Sequence, residues 1–236
     1  MKVRELGYER TPLGDLTLRE RIEPKAGGVE VLEVKLGDEY LMSSLFTESE
    51  RQLARLGLAA VEGGELDVVV GGLGLGYTAA EALKSERVDR LLVIELFQAV
   101  IDWHRRGLVP LGERIVGDER CEVRQGDFFA LARTGLDVRR PEAKFDAVLL
   151  DIDHTPELVL DAGNRSFYTV EGLAAVRDQL KPGGAFALWS DDPANEEFTA
   201  LLRGVFGSAD AHNIEFPNPY TRSTSVNSVY VARNLE

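Results

Sequence analysis

Apolar and polar residues largely alternate along the first part of the chain. Residues 15–22 (DLTLRERI) and 29–36 (VEVLEVKL) carry the two-residue period of strands with one buried face, and Gly27-Gly28 lies near the turn between them. Residues 37–44 (GDEYLMSS) continue as a further turn and strand. The period then lengthens. Thr47 and Glu50 have the T-x-x-E spacing of a capping box, and Leu53, Leu56, Ala60 and Val61 follow at roughly helical intervals up to Gly63-Gly64. Beyond them short apolar runs alternate with helical stretches. Residues 66–71, 90–95, 120–127, 145–151 and 185–190 read as strands, and residues 78–84, 98–106, 168–180 and 195–206 as helices, the third stopping at Lys181-Pro182-Gly183-Gly184. Two last strands, 211–216 and 227–233, flank a loop rich in Pro, Asn, Ser and Thr, with no helix between them.

Buried strands separated by helices predict a doubly wound, mainly parallel α/β sheet with right-handed crossovers. The two closing strands make an antiparallel edge pair, which brings the sheet to seven strands. The expected division is an N-terminal β-hairpin region over residues 1–46 and a Rossmann-like catalytic domain over residues 47–236. In such a sheet ligands sit at the carboxyl ends of the strands, near the switch point, so candidate chemistry is sought where strands end.

The first parallel strand runs into Gly71-Gly72-Leu73-Gly74-Leu75-Gly76. Glycines there permit a tight strand-to-helix turn and let a ligand approach the backbone, with Gly72, Gly74 and Gly76 as the candidates. Gly74 to Ala79 also satisfies G-x-G-x-x-A, the looser dinucleotide fingerprint; by itself that is a weak signal, with a purely structural turn as its alternative. The second strand ends at Glu95, about 20 residues on, where a carboxylate suits two ribose hydroxyls. The third ends at Gly126-Asp127-Phe128. Asp127 can accept from an adenine amino group while Phe128 covers the ring, or Asp127 can cap the next helix. The fourth ends at Asp151-Ile152-Asp153-His154-Thr155-Pro156, with two carboxylates and an imidazole placed to orient or deprotonate a substrate amine; solvation of a turn before Pro156 is the plainer alternative.

Composition narrows the partners. Lys and Arg number 27 against 40 Asp and Glu, a net charge of −13, which repels phosphate backbones and makes nucleic acid an unexpected partner. No apolar run is long enough to span a bilayer, so no membrane partner is expected, and the N-terminus has no secretory pattern. The single cysteine, Cys121, fits a cytoplasmic protein. His104, His154 and His212 show no metal-ligand spacing, so no metal is expected.

Taken together, these segments resemble the spermidine synthases (polyamine aminopropyltransferases), on the S-adenosylmethionine-dependent methyltransferase fold. VVVGGLGLGYTAAEALK resembles their glycine motif, VIELFQAVID their acidic motif with Glu95 at the ribose position, and QGDFFAL their adenine-side motif. FDAVLLDIDHTP resembles the segment carrying their catalytic aspartate, which falls on Asp151, with Asp153 and His154 as secondary candidates. The late helix with Phe167 and Tyr168 and the FPNPY loop extend the likeness. It implies a transferase with an adenosyl-sulfonium donor, S-adenosylmethionine or its decarboxylated form, and a small, amine-type acceptor. It also implies dimerisation through the N-terminal β region. The chain departs from the family's pattern at three places. Gly74 stands where a donor-binding aspartate is usual, His154 where a second acceptor-holding aspartate is usual, and Leu53 and Ala54 where the first helix usually carries substrate contacts. Aminopropyl and methyl transfer therefore both stay open. So do an NAD(P)-dependent oxidoreductase, from G-x-G-x-x-A and Glu95, and a non-catalytic scaffold that keeps the fold.

Overall fold

The structure, a computed structural model, describes residues 3–235. Four strands, β1 (Val3–Thr11), β2 (Gly14–Glu23), β3 (Val29–Leu36) and β4 (Glu39–Ser43), form an antiparallel sheet in that spatial order. Alternation predicts β2, β3 and the turn into β4. It does not predict β1, because VRELGYERT buries no side chain and is held by backbone pairing to β2, from Val3 opposite Arg21 to Thr11 opposite Gly14. Gly7 lets β1 pass over the indole of Trp103, which a Cβ at that position would strike.

Seven strands make the second sheet: β5 (Leu66–Gly71), β6 (Val88–Glu95), β7 (Cys121–Gln125), β8 (Phe145–Leu150), β9 (Leu180–Ser190), β10 (Gly207–Asn218) and β11 (Ser223–Asn234). Their spatial order is 10-11-9-8-5-6-7, and β5 to β9 run parallel while β11 is antiparallel to both β9 and β10. This is the expected doubly wound α/β sheet with an antiparallel edge. Successive residues of one strand serve opposite faces, as the two-residue period requires: Val68 and Val70 join one core, Val69 the other. The first core lies beneath α1 (Glu48–Ala59), α2 (Tyr77–Ala82), α3 (Gln98–Arg105) and α4 (Gly112–Val116), and the second beneath α5 (Phe128–Thr134), α6 (Val170–Arg177) and α7 (Glu196–Phe206). Among the described residues, no helix is long and apolar enough to cross a membrane.

Two local expectations are corrected. The stretch 168–180 is not one helix. A 3-10 segment, Ala162–Tyr168, precedes a shorter α6, and β9 already begins at Leu180. Pro182-Gly183-Gly184 therefore sits inside the strand, where the register against β8 jumps from Phe145–Leu180 to Ala147–Ala185 and Gly183 takes φ +76°. The capping box at α1 also does not form. The Thr47 side chain makes no cap bond and instead accepts from Arg51 Nε at 3.4 Å. Glu50 turns inward and is buried.

The chain leaves β5 for β6 and β7, then crosses back to β8. The carboxyl ends of β5 and β8 thus lie side by side at the switch point, joined by Asp151 N–H donating to the Gly71 carbonyl at 2.8 Å.

Candidate active site

A cleft of about 1410 Å³ opens over these strand ends, roofed by the four-stranded sheet. Gly72, with φ +93°, forms its floor; a Cβ there would collide with the Asp151 backbone carbonyl. Gly74, at φ +49°, also lines the cleft and faces Met42 Sδ, 2.8 Å from where a Cβ would lie. Gly76 does not line it. At φ +89° it starts α2 against Ile115 and His104. His104 Nε2 lies 2.9 Å from the Gly74 carbonyl, and burial holds the imidazole below its ordinary pKa, so the neutral ring donates Nε2–H there.

Glu95, at the end of β6, is buried. One carboxylate oxygen accepts from Leu73 N–H at 2.9 Å and the other from Phe97 N–H at 2.8 Å. Burial raises its pKa against these hydrogen bonds. Backbone N–H groups of Gly74 and Leu96 also favour its ionised form; together these bonds clamp the glycine turn to β6, and the carboxylate lines the cleft. Asp127 caps α5, accepting from Phe129 N–H at 2.9 Å and Ala130 N–H at 3.2 Å, while also lining the cleft. The cap and a ligand contact are thus compatible. Phe128 packs edge-on to Phe129 and Phe167, at 5.7 and 5.9 Å between centroids, and supplies an apolar wall; Ile152 lines the cleft as well.

Asp151 follows β8. Its Oδ2 accepts from Thr78 Oγ1 at 2.6 Å, and burial pushes the carboxyl up to about 6. Glu50 reaches the same cleft from α1. Burial first, and the nearby Asp151 charge second, push it up to about 8. Trp189, at the end of β9, lines the cleft with its indole N–H buried and unbonded.

The three strand-four candidates separate. Asp151 and His154 line the cleft, but Asp153 does not. Asp153 accepts from Leu160 N–H at 2.8 Å, Asn164 Nδ2 at 3.0 Å and Tyr168 OH at 2.8 Å, so its oxygens are committed to folding their own loop. Its secondary catalytic assignment is corrected accordingly: it is a positioning residue that ties the loop to the 3-10 segment. Replacing Asp153 by Ala strands these donors, including the buried Tyr168 hydroxyl. A loss of about 2 kcal/mol in unfolding free energy is expected by denaturant titration, with the melting temperature falling in step. An unchanged stability sinks the assignment.

Sequence reasoning missed Glu50, Thr78, Trp189 and Tyr220. Leu53 and Ala54, the α1 positions it considered, are fully buried in the core; one helical turn earlier, Glu50 faces the cleft. Tyr220, in the turn between β10 and β11, accepts from Arg21 Nη2 at 2.7 Å and donates to Glu23 Oε2 at 2.8 Å. Its hydrogen bond to Arg21 sits in a buried lattice in which Arg21 also pairs with Glu23 and Glu33. Phe46 packs against Phe216 and Tyr220 at 5.3 and 6.0 Å, so the edge hairpin is pinned to the roof.

The model of the spermine/spermidine synthase domain matches residues 47–201, well over half of the chain. A polyamine aminopropyltransferase of Nitrosomonas europaea is 32% identical over 145 residues, 59% of this chain and 41% of that protein. One from Prochlorococcus marinus is 28% identical over 148 residues, 61% and 48% respectively. The chain thus spans less than half the length of these relatives. A crystal structure of spermidine synthase in complex with the transition state analogue AdoDATO aligns over 98% of this chain and 74% of its own, with TM-score 0.74 at 20% identity, a likeness of fold. The cleft sits at the switch point of that shared fold, and the family model runs from α1 through the glycine turn, Glu95, Asp127 and Asp151: the chain belongs to the spermine/spermidine synthase family.

Proposed function

We propose that the chain transfers an aminopropyl group from decarboxylated S-adenosylmethionine to a small amine acceptor, with residues 47–236 as the catalytic unit and residues 1–46 as its roof. The observation that carries this reading is Asp151: a carboxylate raised to about 6, fixed by Thr78, at the strand end beside the glycine turn. The acceptor's nitrogen lone pair attacks the carbon next to the sulfonium, and the carbon–sulfur electron pair stays on sulfur as a neutral thioether. No acid is needed for that leaving group. The new ammonium sheds its proton to a nearby base, a task for which a carboxylate pushed towards neutral pH is suited. Glu95 and Asp127 serve the adenosine, Phe128 and Ile152 its apolar surroundings, and Gly72 and Gly74 the close approach of the donor. The remaining work is alignment and exclusion of water by the roof.

Calorimetric titration in parallel with decarboxylated S-adenosylmethionine, S-adenosylmethionine, 5′-methylthioadenosine and NAD tests the reading. The decarboxylated donor and 5′-methylthioadenosine are expected to bind at least tenfold more tightly than the other two. Preference for S-adenosylmethionine itself favours methyl transfer, the alternative raised by Gly74 standing where a donor-binding aspartate is usual. Binding of NAD alone overturns the adenosyl-sulfonium reading, and binding of none favours a scaffold.

A further inference from the structure

Glu50 is a buried carboxyl with no cation of its own among the described residues. The nearest candidate, Arg51, is turned away: its guanidinium pairs with Glu81 at 3.3 Å and lies over the Tyr77 ring at 5.0 Å. What holds Glu50 is a short neutral chain. Asn227 Nδ2 donates to Ser49 Oγ at 3.1 Å, and Ser49 Oγ donates to Glu50 Oε2 at 3.0 Å. On the other side Thr78 Oγ1 lies 3.3 Å from the Glu50 main-chain carbonyl and 2.6 Å from Asp151 Oδ2, and the Glu50 and Asp151 carboxyls both line the cleft, close enough for the Asp151 charge to act on Glu50. Around Glu50, α1 brings Ser49 and Arg51, α2 Tyr77 and Thr78, the end of β8 Asp151, and β11 Asn227; α1 also packs against β9 and β10, and past the end of β9 the acidic Asp191 lines the same cleft, while Arg51, paired with Glu81, acts on Glu50 only through its field. None of them neutralises a second charge.

Two carboxyls brought together in a buried cleft with no counter-ion cost the fold free energy. The protein reduces that cost by keeping a proton on the pair. The arrangement gains a purpose when a cation arrives from outside. The other carboxyls on the strand ends sit differently: Glu95 and Asp127 are anchored by backbone N–H groups on the side assigned to the adenosine, Asp153 lies outside the cleft in its own loop, and Asp191 lines the cleft past β9 without the Ser49–Asn227 support that Glu50 has.

We infer that Glu50 is a specificity-determining residue for the acceptor, its carboxylate and that of Asp151 holding an ammonium between them. This rests on the aminopropyl-transfer reading and extends it: the acceptor is recognised as a cation, by a carboxyl on α1 rather than by one in the glycine turn or the strand-four loop. Filling the seat displaces the shared proton to solvent, because an adjacent ammonium favours the ionised form of both carboxyls.

The probe is 1,4-diaminobutane, titrated calorimetrically at pH 7.5 into protein saturated with 5′-methylthioadenosine, in two buffers of different ionisation enthalpy. The parent protein is expected to release a fraction of a proton on binding the diamine. Glu50→Gln keeps the shape and the Ser49 hydrogen bond but loses the charge. It is expected to weaken diamine binding tenfold or more and to abolish most of the proton release, with 5′-methylthioadenosine affinity changed less than twofold. Ser49→Ala, which frees Glu50, gives the same direction at smaller size and stands in should Glu50→Gln fail to fold. Equal diamine affinity in parent and variant overturns the inference, as does binding without proton release. Binding of 5′-methylthioadenosine but of no diamine overturns it while leaving the donor site intact. Failure of 5′-methylthioadenosine to bind overturns the adenosyl reading beneath it.

Discussion

Alanine at Gly72 is expected to remove about 3 kcal/mol or more of unfolding free energy. Two costs add. The residue holds φ +93°, outside the range an L side chain adopts comfortably, at a cost on the order of 1–3 kcal/mol. The new Cβ also lands on the Asp151 backbone carbonyl, which cannot swing aside as a side-chain end could. Relief requires moving β8 away from β5 where Asp151 N–H bonds the Gly71 carbonyl, so the catalytic carboxylate moves too. Gly74→Ala is the internal comparison. Its φ of +49° lies in the left-handed region, and its Cβ meets only the Met42 sulfur at 2.8 Å, so about 1 kcal/mol is expected. Urea unfolding of both variants decides the point; equal losses mean that strand separation is not what Gly72 prevents.

That contrast bears on what can be read from residues. The pattern Gly71 to Gly76 announces a turn, and strand ends announce a site, because short-range geometry demands them. Which glycine faces ligand and which faces protein depends on contacts from distant segments. Gly76 answers to His104 and Ile115, 28 and 39 residues on, and Gly74 to Met42, before it in the chain. The same limit explains β1, whose exposed side chains carry no period, and β9, whose Pro182-Gly183-Gly184 looks like a stop and is a bulge. The parallel strands β5, β6 and β8 were legible because both of their faces are buried and their apolar runs are continuous.

The site divides along similar lines. Asp127 illustrates a residue for which local and ligand readings coexist, since one oxygen caps α5 within the same segment. Asp153 and Glu50 exchange places. Asp153 lies two residues after Asp151, a spacing that would put both on one face of a continued strand and invites a catalytic reading, but β8 ends at Leu150, the chain bends, and Asp153 turns into its own loop. Glu50 has the spacing of a cap residue, and a local rule claims it. Its true environment, Asp151 and Asn227, is 101 and 177 positions away by residue number, so no window of sequence brings them together.

Asp151→Asn is expected to lower the turnover rate with decarboxylated S-adenosylmethionine and an amine acceptor by 10²- to 10⁴-fold, the range for loss of a positioned base. The amide still accepts the Thr78 hydrogen bond, so geometry is kept and 5′-methylthioadenosine should bind as before. The same substitution should stabilise the free protein at alkaline pH. Asp151 and Glu50 both titrate above their unfolded values, from 3.8 to about 6 and from 4.5 to about 8. Between each pair of values the native state holds a proton that the unfolded chain has released, so stability falls as pH rises from about 4 to about 8, by about 1.4 kcal/mol per unit for each such proton. Asn removes the first titration outright and the repulsion that contributes to the second. Melting temperature followed from pH 5 to 8.5 should therefore drop in the parent and stay flatter in the variant. An active Asp151→Asn protein denies the base. A parent whose stability is flat over that range denies the uncompensated pair. The conjunction, a variant that is more stable and inactive, marks the pair as kept for a cation the protein binds rather than for the fold, since a charge serving the fold would be missed when it is removed.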